Sequence, residues 1–385
     1  MRDRSVRTLG SLLFLAAVSP LGAATPAPPT TSGGMYMPAK SCGACHDAMF
    51  KAWSGSAHAR SVTSAAYVET LRRTVEQSQD KKAAGAACVW CHAPTTILTG
   101  DLELQQPLSR EGITCDFCHT VADVNLDRVP PFDLKPGPVK RGPFEYTQVQ
   151  GHQAAYSLLH RASPLLCASC HEFRNANGVA VLSNYSEWKE GPYPARGVSC
   201  QDCHMALVPG TPARVAGPRG SQRVVNLHRL VGGSATSQVA RGLALIIDSV
   251  TVSSGSAEAV VAVTNDAAGH SVPGGLATKS LVLAVGAETA DGKLEYRQER
   301  VYRRELKDGQ GVVLQTVADM FLKAASVSSD SRIKPKESRK ERFTVPIPSG
   351  ARAIVARLEY RDASDPRSGP ATSLITEVKH PLGGP

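Results

Sequence analysis

One pentapeptide accounts for every cysteine in this chain. The ten cysteines fall into five copies of Cys-x-x-Cys-His, whose residues are Cys42, Cys45 and His46; Cys88, Cys91 and His92; Cys115, Cys118 and His119; Cys167, Cys170 and His171; and Cys200, Cys203 and His204. Two thiols at i and i+3 can each add to a vinyl group on one edge of a haem, and the next residue brings an imidazole under the iron. The pattern predicts five covalently attached haems of the c type.

Paired cysteines also occur in zinc sites and in redox dithiols. Zinc ribbons use such pairs two at a time, and five pairs would leave one unmatched. A histidine directly after the second cysteine of every pair has no function in a zinc knuckle, since the other ligands come from a separate knuckle. Five separate dithiol active sites in one chain are an even less favoured interpretation than zinc sites. Haem attachment is the favoured interpretation.

The N-terminal segment has the pattern of an export signal. Arg2, Arg4 and Arg7 precede an apolar run over residues 12–18, and small residues at 21–24 offer a cleavage site. The pattern predicts a Sec-type signal peptide, because no twin-arginine pair is present and the first cysteine belongs to a haem motif. No later apolar run approaches the ~20 residues that cross a bilayer. We expect a periplasmic protein without an integral membrane segment, or one exported to the outer membrane or the cell exterior.

The positive net charge of the sequence must be interpreted together with the charges of the expected haems. The formal net charge is +9, which would ordinarily suggest an acidic partner such as nucleic acid. Each haem would add two propionate carboxylates, so the haems would offset most of this charge. Residues 334–342 mix lysine, arginine and glutamate and are typical of a solvated face. Nucleic acid is therefore not an expected partner.

Composition divides the chain into a haem-binding part and a cysteine-free part. We predict a signal peptide at 1–24, a flexible leader at 25–40, a multihaem domain at 41–232 and a second domain at 233–385. The haem-binding part shows little regular periodicity apart from short helical patches such as residues 65–79. Large apolar macrocycles would supply the core that its side chains lack. Glycines in Val231-Gly-Gly make a plausible hinge between the domains.

The last third has the alternating pattern of β-strands. Turn sequences such as Asp291-Gly292 separate the predicted strands, which are 243–252, 257–264, 280–288, 293–303, 311–315, 341–347, 351–360 and 372–379. Seven or eight strands over about 140 residues indicate an antiparallel β-sandwich. The predicted fold class is α+β and multidomain, with a mostly helical and irregular pentahaem domain followed by the β-sandwich.

Histidines outside the motifs are candidates for the second axial ligand of each iron. Six of the eleven histidines remain after the motifs are counted, namely His58, His152, His160, His228, His270 and His380. A second histidine on each iron would make the haems low-spin and favour lower potentials than histidine with methionine. Five distal ligands from this set would make every haem bis-histidine.

The six candidates differ in their sequence context. His58 follows a short helix that begins at the first motif, and His270 occupies a glycine- and proline-rich loop that could press an imidazole onto a haem of the other domain. An ordinary turn with a solvated histidine is the alternative for His270 and similarly for His228. His152 and His160 would share one helix face, so that one could be a ligand and the other a hydrogen-bond partner. His380 near the C-terminus is more typical of a solvated side chain.

Several of these segments together resemble the cytochrome c-554-type multihaem family. The similar segments are the first motif through Trp53 and His58, residues 112–115, 166–172, 185–188 and 197–205, and a β-rich tail around residues 263–275. The resemblance implies closely packed haem pairs, electron transfer, and distal histidines at positions like His58, His152, His228 and His270. The family prototype has four haems, so the fifth haem of this chain lies outside the resemblance. In some relatives one haem is five-coordinate.

Two functions from different classes follow. The favoured one is an electron carrier, in which the polypeptide spaces the haems and sets their potentials. The alternative is a haem enzyme with one open iron face that acts on a small nitrogen or sulfur compound. Pentahaem nitrite reductases have lysine in place of one motif histidine, and no motif here ends in lysine. Hydroxylamine-oxidising relatives have eight haems, which this chain does not match. No other catalytic motif is present.

The partners expected for a carrier are other redox proteins. A quinol-oxidising membrane cytochrome, or cytochromes of the periplasm or outer membrane, would exchange electrons with it. A third alternative is a homo-oligomer or extracellular filament, in which one subunit donates a distal histidine such as His380 to its neighbour. Nothing in the sequence demands such an assembly.

Overall fold

The computed structural model describes residues 35–144, 151–213, 223–233, 235–365 and 367–383. The predicted signal peptide and most of the predicted leader lie outside the described residues. Among these residues, no helix combines the length and apolar character that crossing a bilayer requires. All eleven histidines and all ten cysteines lie within the described ranges.

Short helices build the haem-binding part. They are α1 Ala39–Gly43, α2 Asp47–Ser54, α3 Ala65–Gln77, α4 Lys81–His92, α5 Thr96–Thr99, α6 Cys115–Thr120, α7 Leu158–Arg161, α8 Leu165–His171, α9 Asn184–Glu190 and α10 Cys200–His204, with 3-10 turns at His58–Arg60, Ser109–Glu111 and Pro194–Arg196. Most are shorter than an isolated helix needs to be stable, so tertiary contacts must hold them. The predicted helix at 65–79 is confirmed, and it ends at Gln77.

Side-chain caps explain why two motifs lie at helix starts. The Thr114 hydroxyl accepts a hydrogen bond from the Phe117 amide at 3.2 Å, which caps α6. At α10 the Ser199 and Asp202 side chains and backbones bond reciprocally as a capping box. Such caps satisfy backbone N–H groups that have no partner within the helix. The first cysteine of each of these motifs is thereby placed at the beginning of a defined turn.

A tryptophan anchors the residue just before each of those caps. The Trp53 indole N–H donates to the Ile113 carbonyl at 2.8 Å, and the Trp188 indole N–H donates to the Val198 carbonyl at 3.0 Å. Both carbonyls belong to the residue that precedes the capping threonine or serine. The same packing solution is therefore used twice, once for the third motif and once for the fifth.

Two-stranded ribbons and small apolar clusters complete this part. The strands are β1 Val121–Val124, β2 Phe132–Leu134, β3 Val139–Gly142, β4 Gln153–Tyr156, β5 Glu172–Arg174, β6 Ala180–Ser183, β7 Leu207–Gly210 and β8 Arg223–Asn226. They pair in sequence order, antiparallel except for β3 with β4. The buried clusters that lie wholly in this part centre on Phe117 and on Tyr67 and contain few side chains. Its own side chains thus provide only a small core.

A β-sandwich forms the second part, as predicted. Its strands are β9 Leu243–Ser253, β10 Ser256–Asn265, β11 Lys279–Thr289, β12 Leu294–Lys307, β13 Ser326–Asp330, β14 Ser338–Pro346, β15 Ala351–Asp362 and β16 Ala371–Pro381. One sheet has the order β14-β10-β9 and the other β13-β12-β11-β15-β16, with antiparallel pairing throughout. Helices α11 Thr236–Gly242 and α12 Val317–Lys323 accompany the sheets.

Two local predictions in this part are wrong. Residues 311–315 form an isolated bridge at Val313 rather than a strand, because they turn back after β12 beside Lys307. Strand β13 was not expected, since its sequence Ser-Val-Ser-Ser-Asp is polar and fully exposed at a sheet edge. Alternation of apolar residues cannot identify a strand that buries neither face.

Alternate residues of the long strands fill the space between the two sheets. Leu281, Leu283 and Val285 of β11 face Phe343 and Val345 of β14 in one cluster of buried side chains. The period of two along each strand places one set of residues inward. This cluster is a continuous core of ordinary size, unlike the small clusters of the haem-binding part.

A shared apolar cluster joins the two parts. Val181 of β6 is buried with Leu306 and Met320 of the sandwich. The side-chain amides of Asn175 and Asn177 both donate to the Ala324 carbonyl, at 2.8 and 2.9 Å. The haem-binding part is therefore packed against the sandwich through apolar and polar contacts. At the predicted hinge, Gly233 lies directly against the Tyr360 ring, where a side chain would collide with it.

Candidate haem-iron sites

We number the five motifs 1 to 5 in chain order and name each site by its motif. The ten cysteines form no disulfides and are partly buried. Four motif histidines direct Nδ1 to a backbone carbonyl, namely His46 to Pro212 (2.6 Å), His92 to Ser61 (3.0 Å), His119 to Arg141 (2.5 Å) and His204 to Val231 (2.5 Å). With Nδ1–H donating to a carbonyl, Nε2 retains the lone pair that a metal needs.

Four motif histidines lie opposite a second histidine. The ring centres are separated by 6.1 Å for His46 and His152, 6.2 Å for His58 and His171, 6.1 Å for His119 and His228, and 6.2 Å for His204 and His270. An imidazole nitrogen lies about 2 Å from a bound metal, so two imidazoles on one ion have ring centres about 6 Å apart. The planes of each pair lie within 36° of each other. These separations fit two axial ligands of one iron.

Three of the opposing histidines are oriented in the same way as the motif histidines. Nδ1 lies 2.9 Å from a carbonyl oxygen in each, from Gln153 for His152, from Asn226 for His228 and from Ser271 for His270. Each ring therefore has Nε2 free of these hydrogen bonds. The carbonyl belongs to the next residue or to the residue two positions earlier, so local backbone geometry sets the ring direction.

A close contact between two backbone segments holds His58. Its carbonyl accepts a hydrogen bond from the Ile113 amide at 3.1 Å. Gly112 has a φ of +72°, and an added Cβ there would meet the His58 carbonyl oxygen at 2.6 Å. Only glycine combines this backbone conformation with so close an approach. The Gly-Ile pair before the third motif thus positions the histidine that lies opposite His171.

His160 differs from the other candidates because both of its ring nitrogens have partners. Nδ1 lies 2.8 Å from the Ser157 hydroxyl and Nε2 lies 2.7 Å from the Cys118 carbonyl. Its ring centre is 5.6 Å from that of His119. His152 lies before β4 and His160 lies in α7, so the two do not share a helix face. Of the two rings near His119, His228 is the one whose Nε2 has no hydrogen bond of this kind.

The second motif lacks a paired histidine among the described residues, and a tyrosine packs on its own histidine. The Tyr67 ring stacks on the face of the His92 ring with ring centres 4.4 Å apart. Its hydroxyl is buried without a hydrogen-bond partner. Among the described residues, no imidazole is paired with His92 at the separation found in the other four sites. His380, the remaining histidine, is exposed on β16.

Burial keeps the imidazoles of His58 and His228 neutral. It lowers the pKa of His58 to about 4 and that of His228 to about 4. Burial and the neighbouring His58 lower the pKa of His171 to about 3. A neutral imidazole is the form that can ligate a metal, so burial removes competition from protons at ordinary pH.

Thiols of different motifs lie against each other. The side chains that interact are Cys42 with Cys115, Cys91 with Cys170, and Cys167 with Cys200. The contact and burial raise the pKa of Cys115, Cys167 and Cys170. Because each thiol marks the attachment edge of a site, sites 1 and 3, sites 2 and 4, and sites 4 and 5 are direct neighbours.

The imidazoles give the same set of neighbours. His119 of site 3 is within electrostatic range of both rings of site 1. His171 of site 4 is within range of His92 of site 2 and His204 of site 5. Cys118 of site 3 is near Cys167 of site 4, which connects the two groups. Thiols and imidazoles both place site 4 beside sites 2 and 5, and the thiols alone place it beside site 3.

The residues fit the prosthetic group that the motifs imply. The cysteines would form the thioethers, the motif histidines would be proximal ligands, and the opposing histidines have the separation and orientation of distal ligands. The few apolar side chains buried in this part are consistent with large apolar groups that complete its core. Such a fit is found for the whole site at motifs 1, 3, 4 and 5, and for the proximal half at motif 2.

Sequence reasoning missed the residues that orient these histidines. The carbonyls of Pro212, Ser61, Arg141 and Val231 have no sequence signature, because any residue supplies a carbonyl. Tyr67 was visible only as part of the predicted helical patch at residues 65–79. Pairing was also beyond the sequence, since His58 follows motif 1 yet lies opposite the histidine of motif 4.

Two comparisons with known proteins found similarities to this chain. Residues 41–120 match the family described as cytochrome c554 and c-prime. The fold is similar to that of a penta-heme cytochrome c552 from Thermochromatium tepidum, with a TM-score of 0.70, 20% sequence identity, and coverage of 90% of this chain and 99% of that chain. A search of curated protein sequences found no match. At this identity, the structural likeness establishes a shared fold.

Proposed function

We propose that this chain is a multihaem c-type cytochrome of the cytochrome c554 family. It would relay electrons through five covalently bound haems, four of them ligated by two histidines. Four histidine pairs about 6 Å apart are the observation that supports this most directly. The proposed pairs are His46 with His152, His119 with His228, His171 with His58, and His204 with His270. When bound, each haem supplies an iron that alternates between the ferric and ferrous states.

The polypeptide would contribute position and insulation. Carbonyl groups lie within hydrogen-bond distance of Nδ1 in six of the eight paired histidines, so ligand exchange on a change of oxidation state would be opposed there. The neighbour relations support a branched order, in which site 1 lies next to site 3, site 3 next to site 4, and sites 2 and 5 each next to site 4. Site 4 would be the junction of the relay.

We further propose that His160 is a supporting residue rather than an iron ligand. Its Nε2 contacts the carbonyl of Cys118, which belongs to the motif of site 3. The Ser157 hydroxyl holds its other nitrogen. His160 would thereby fix the backbone turn that presents the Cys118 thiol to its haem, while His228 provides the distal nitrogen at that site.

A second candidate function rests on site 2. His92 has Tyr67 packed on its ring and has no opposing imidazole among the described histidines. An iron with one protein ligand can bind a small molecule, so this site supports the alternative of a haem enzyme for a small nitrogen or sulfur compound. Burial of Tyr67 raises the pKa of its hydroxyl, so it stays protonated there. The carrier function remains our main proposal because four sites have two histidines placed to ligate one iron.

Substitution of single histidines tests these assignments in the purified holoprotein. Alanine at His152, His228, His58 or His270 should each convert one haem from low-spin to high-spin in a low-temperature electron paramagnetic resonance spectrum, while a haemochrome assay still counts five haems. His380→Ala is the matched control because this histidine is exposed, and it should leave the spectrum unchanged. An unaltered spectrum in the first four variants would rule out bis-histidine ligation.

The same spectrum separates the two functions. A high-spin haem in the unsubstituted protein that shifts on addition of nitric oxide or nitrite would support an open site 2. Reduction and reoxidation of all haems without any such species would support the carrier alone. His160→Ala should keep every haem low-spin, in contrast to His228→Ala, and loss of one low-spin haem in it would contradict the supporting function of His160.

Location and partners follow from the proposed chemistry. We propose that the chain is exported to the periplasm, or beyond it to the outer membrane or cell exterior, where thioether attachment takes place. Its partners would be other redox proteins, such as a quinol-oxidising membrane cytochrome or cytochromes of the periplasm or outer membrane. We propose the domain limits 41–232 and 233–385, with the interface around Val181 joining them. Mass measurement of the exported protein would test cleavage after residue 24.

A further inference from the structure

The loop that bears His270 lies between β10 and β11 and reaches from the sandwich toward the haem-binding part. His270 is in this loop and lies opposite His204 of motif 5. A ligand on a loop needs fixed surroundings to keep its nitrogen on the iron, because loops are more mobile than strands. The neighbours of this loop therefore determine how firmly His270 is held opposite His204 at site 5.

A partly buried glutamate of the haem-binding part holds this loop. Glu187 of α9 accepts a hydrogen bond from the Ser271 amide at 2.9 Å through one carboxylate oxygen. The other oxygen accepts from the Ser183 hydroxyl at 2.6 Å and from the Arg332 guanidinium at 2.7 Å. The Glu187 side chain is 15% exposed. Its carboxylate thus joins the residue next to His270 to both parts of the protein.

Charged groups of the sandwich hold Glu187 in turn. The Arg332 side chain is 5% exposed, and it pairs with Asp330 at 2.7 Å as well as with Glu187. Arg304 donates to the Ser183 hydroxyl at 3.1 Å and to the Ala180 carbonyl at 2.7 Å. Hydrogen bonds to charged groups are stronger than those between neutral groups, and they are strongest where water is excluded. This network resists displacement of Glu187.

The His270 ring is also confined by packing. An added Cβ at Gly274 would lie 2.6 Å from Cε1 of His270 and 2.9 Å from the Asn184 side-chain nitrogen. The ring therefore fits tightly between its own loop and α9. This packing opposes rotation of the ring, so movement of the loop backbone is the simpler route by which the ligand could leave. The bond from Ser271 to Glu187 opposes that movement.

We propose that Glu187 is a positioning residue that keeps His270 on the iron of site 5 across the boundary between the two parts. This inference rests on the proposed ligation of site 5 by His204 and His270. Glu187 acts through the Ser271 amide and makes no contact with the haem in this proposal. Removing it leaves the Ser271 amide without its acceptor and Arg332 without one of its two carboxylates, in a nearly dry interface.

Exchange of added imidazole into the oxidised holoprotein measures this positioning. Imidazole can bind site 5 only when His270 leaves, so the rate of the corresponding spectral change reports loop opening. In Glu187→Ala we expect this phase to be about tenfold faster or more, the factor that loss of one charge-assisted hydrogen bond gives. Glu187→Gln keeps an oxygen for Ser271 but loses the charge, so a smaller acceleration is expected. Glu187→Gln also tests the proposal if Glu187→Ala does not fold.

A glutamate elsewhere in the sandwich provides the matched control. Glu359 is 12% exposed and pairs with Arg297 at 2.8 Å, and its carboxylate accepts hydrogen bonds from Arg297 and Arg361 rather than from the His270 loop. Glu359→Gln should exchange imidazole as the unsubstituted protein does. Equal acceleration in this variant would mean that general destabilisation, rather than the bond to Ser271, opens the site, and it would overturn the proposal.

His270→Ala separates failure of the positioning from failure of the ligation. If this variant makes one haem high-spin while both Glu187 variants exchange imidazole at the unsubstituted rate, Glu187 is not a positioning residue although His270 is a ligand. If His270→Ala leaves all haems low-spin, the proposed ligation of site 5 is itself wrong. Faster exchange in the Glu187 variants, confined to the haem that His270→Ala alters, is the result that supports the inference.

Discussion

The two parts of this molecule obtain a core in different ways. In the sandwich, Leu281, Leu283 and Phe343 belong to one large cluster of the chain's own side chains. In the haem-binding part the buried clusters are small, and the longest helix, α3, has 13 residues. Strands as long as β12, with 14 residues, can alternate their side chains over a whole sheet. The haem-binding part instead uses many short elements to surround groups that it does not encode.

This difference shows that regular secondary structure and a compact fold are separable. Short helices such as α6 and α10 are stable only when something packs against both faces. Caps and tryptophan anchors define where each turn begins, and the cofactors would provide the apolar area. The sandwich needs no such addition. Its stability should therefore be independent of haem attachment, whereas that of the other part should depend on it completely.

The largest expected effect comes from the full chain made without haem attachment. We expect limited proteolysis to degrade the haem-binding part and leave a fragment that begins near residue 235, since the core of the sandwich consists of its own side chains. Mass spectrometry of the digest gives the fragment ends. The holoprotein digested in parallel should resist cleavage in both parts. Equal resistance of both parts without haem would contradict the claim that only the haem-binding part depends on haem for its stability.

Truncation in the sandwich core should have an intermediate effect. Leu283 is fully buried, so Leu283→Ala should lower the free energy of unfolding by about 3–5 kcal/mol. Denaturant titration followed by circular dichroism measures the loss. Val301→Ala is the control in the same sheet, because Val301 is 41% exposed and its truncation should cost less than about 1 kcal/mol. Haem absorption of Leu283→Ala that stays unchanged at low denaturant would show that loss of stability in the sandwich does not alter the haem-binding part.

The smallest effect concerns the charged outer face of the sandwich. Arg361 and Arg297 hold the pKa of Glu299 and Glu359 below the usual value of 4.5. Their contribution to stability is present above pH 4.5 and is lost as the pH falls through the lowered pKa, because protonation then favours the unfolded chain. Because Glu299 is 31% exposed and Glu359 12% exposed, solvent only partly screens these pairs, and Glu359→Gln should lower stability by about 1 kcal/mol at pH 7.

Titration of stability with acid checks this prediction. The difference between the unsubstituted protein and Glu359→Gln should shrink as the pH is lowered below 4.5. A difference that grows with acid would contradict the assignment of the lowered pKa. The haem spectrum should be the same in both proteins throughout, because this face lies away from the histidine pairs.

The local parts of the fold were predictable, and the contacts between distant segments were not. Helix α3 and most strands of the sandwich follow from periodicity, since each depends on residues a few positions apart. Strand β13 buries no side chain and so left no pattern. The cluster around Val181, Leu306 and Met320 unites residues more than 120 positions apart, and no local pattern indicates that they meet.

By itself the sequence determined the attachment half of every site, because two cysteines and a histidine within five residues act on one haem edge wherever the motif lies. Tertiary structure alone decided the other half. His58 lies opposite His171, His204 lies opposite His270, and His92 has no opposing histidine among the described residues. An iron joins its two ligands across space rather than along the chain, so the packing of the two parts selects each distal group.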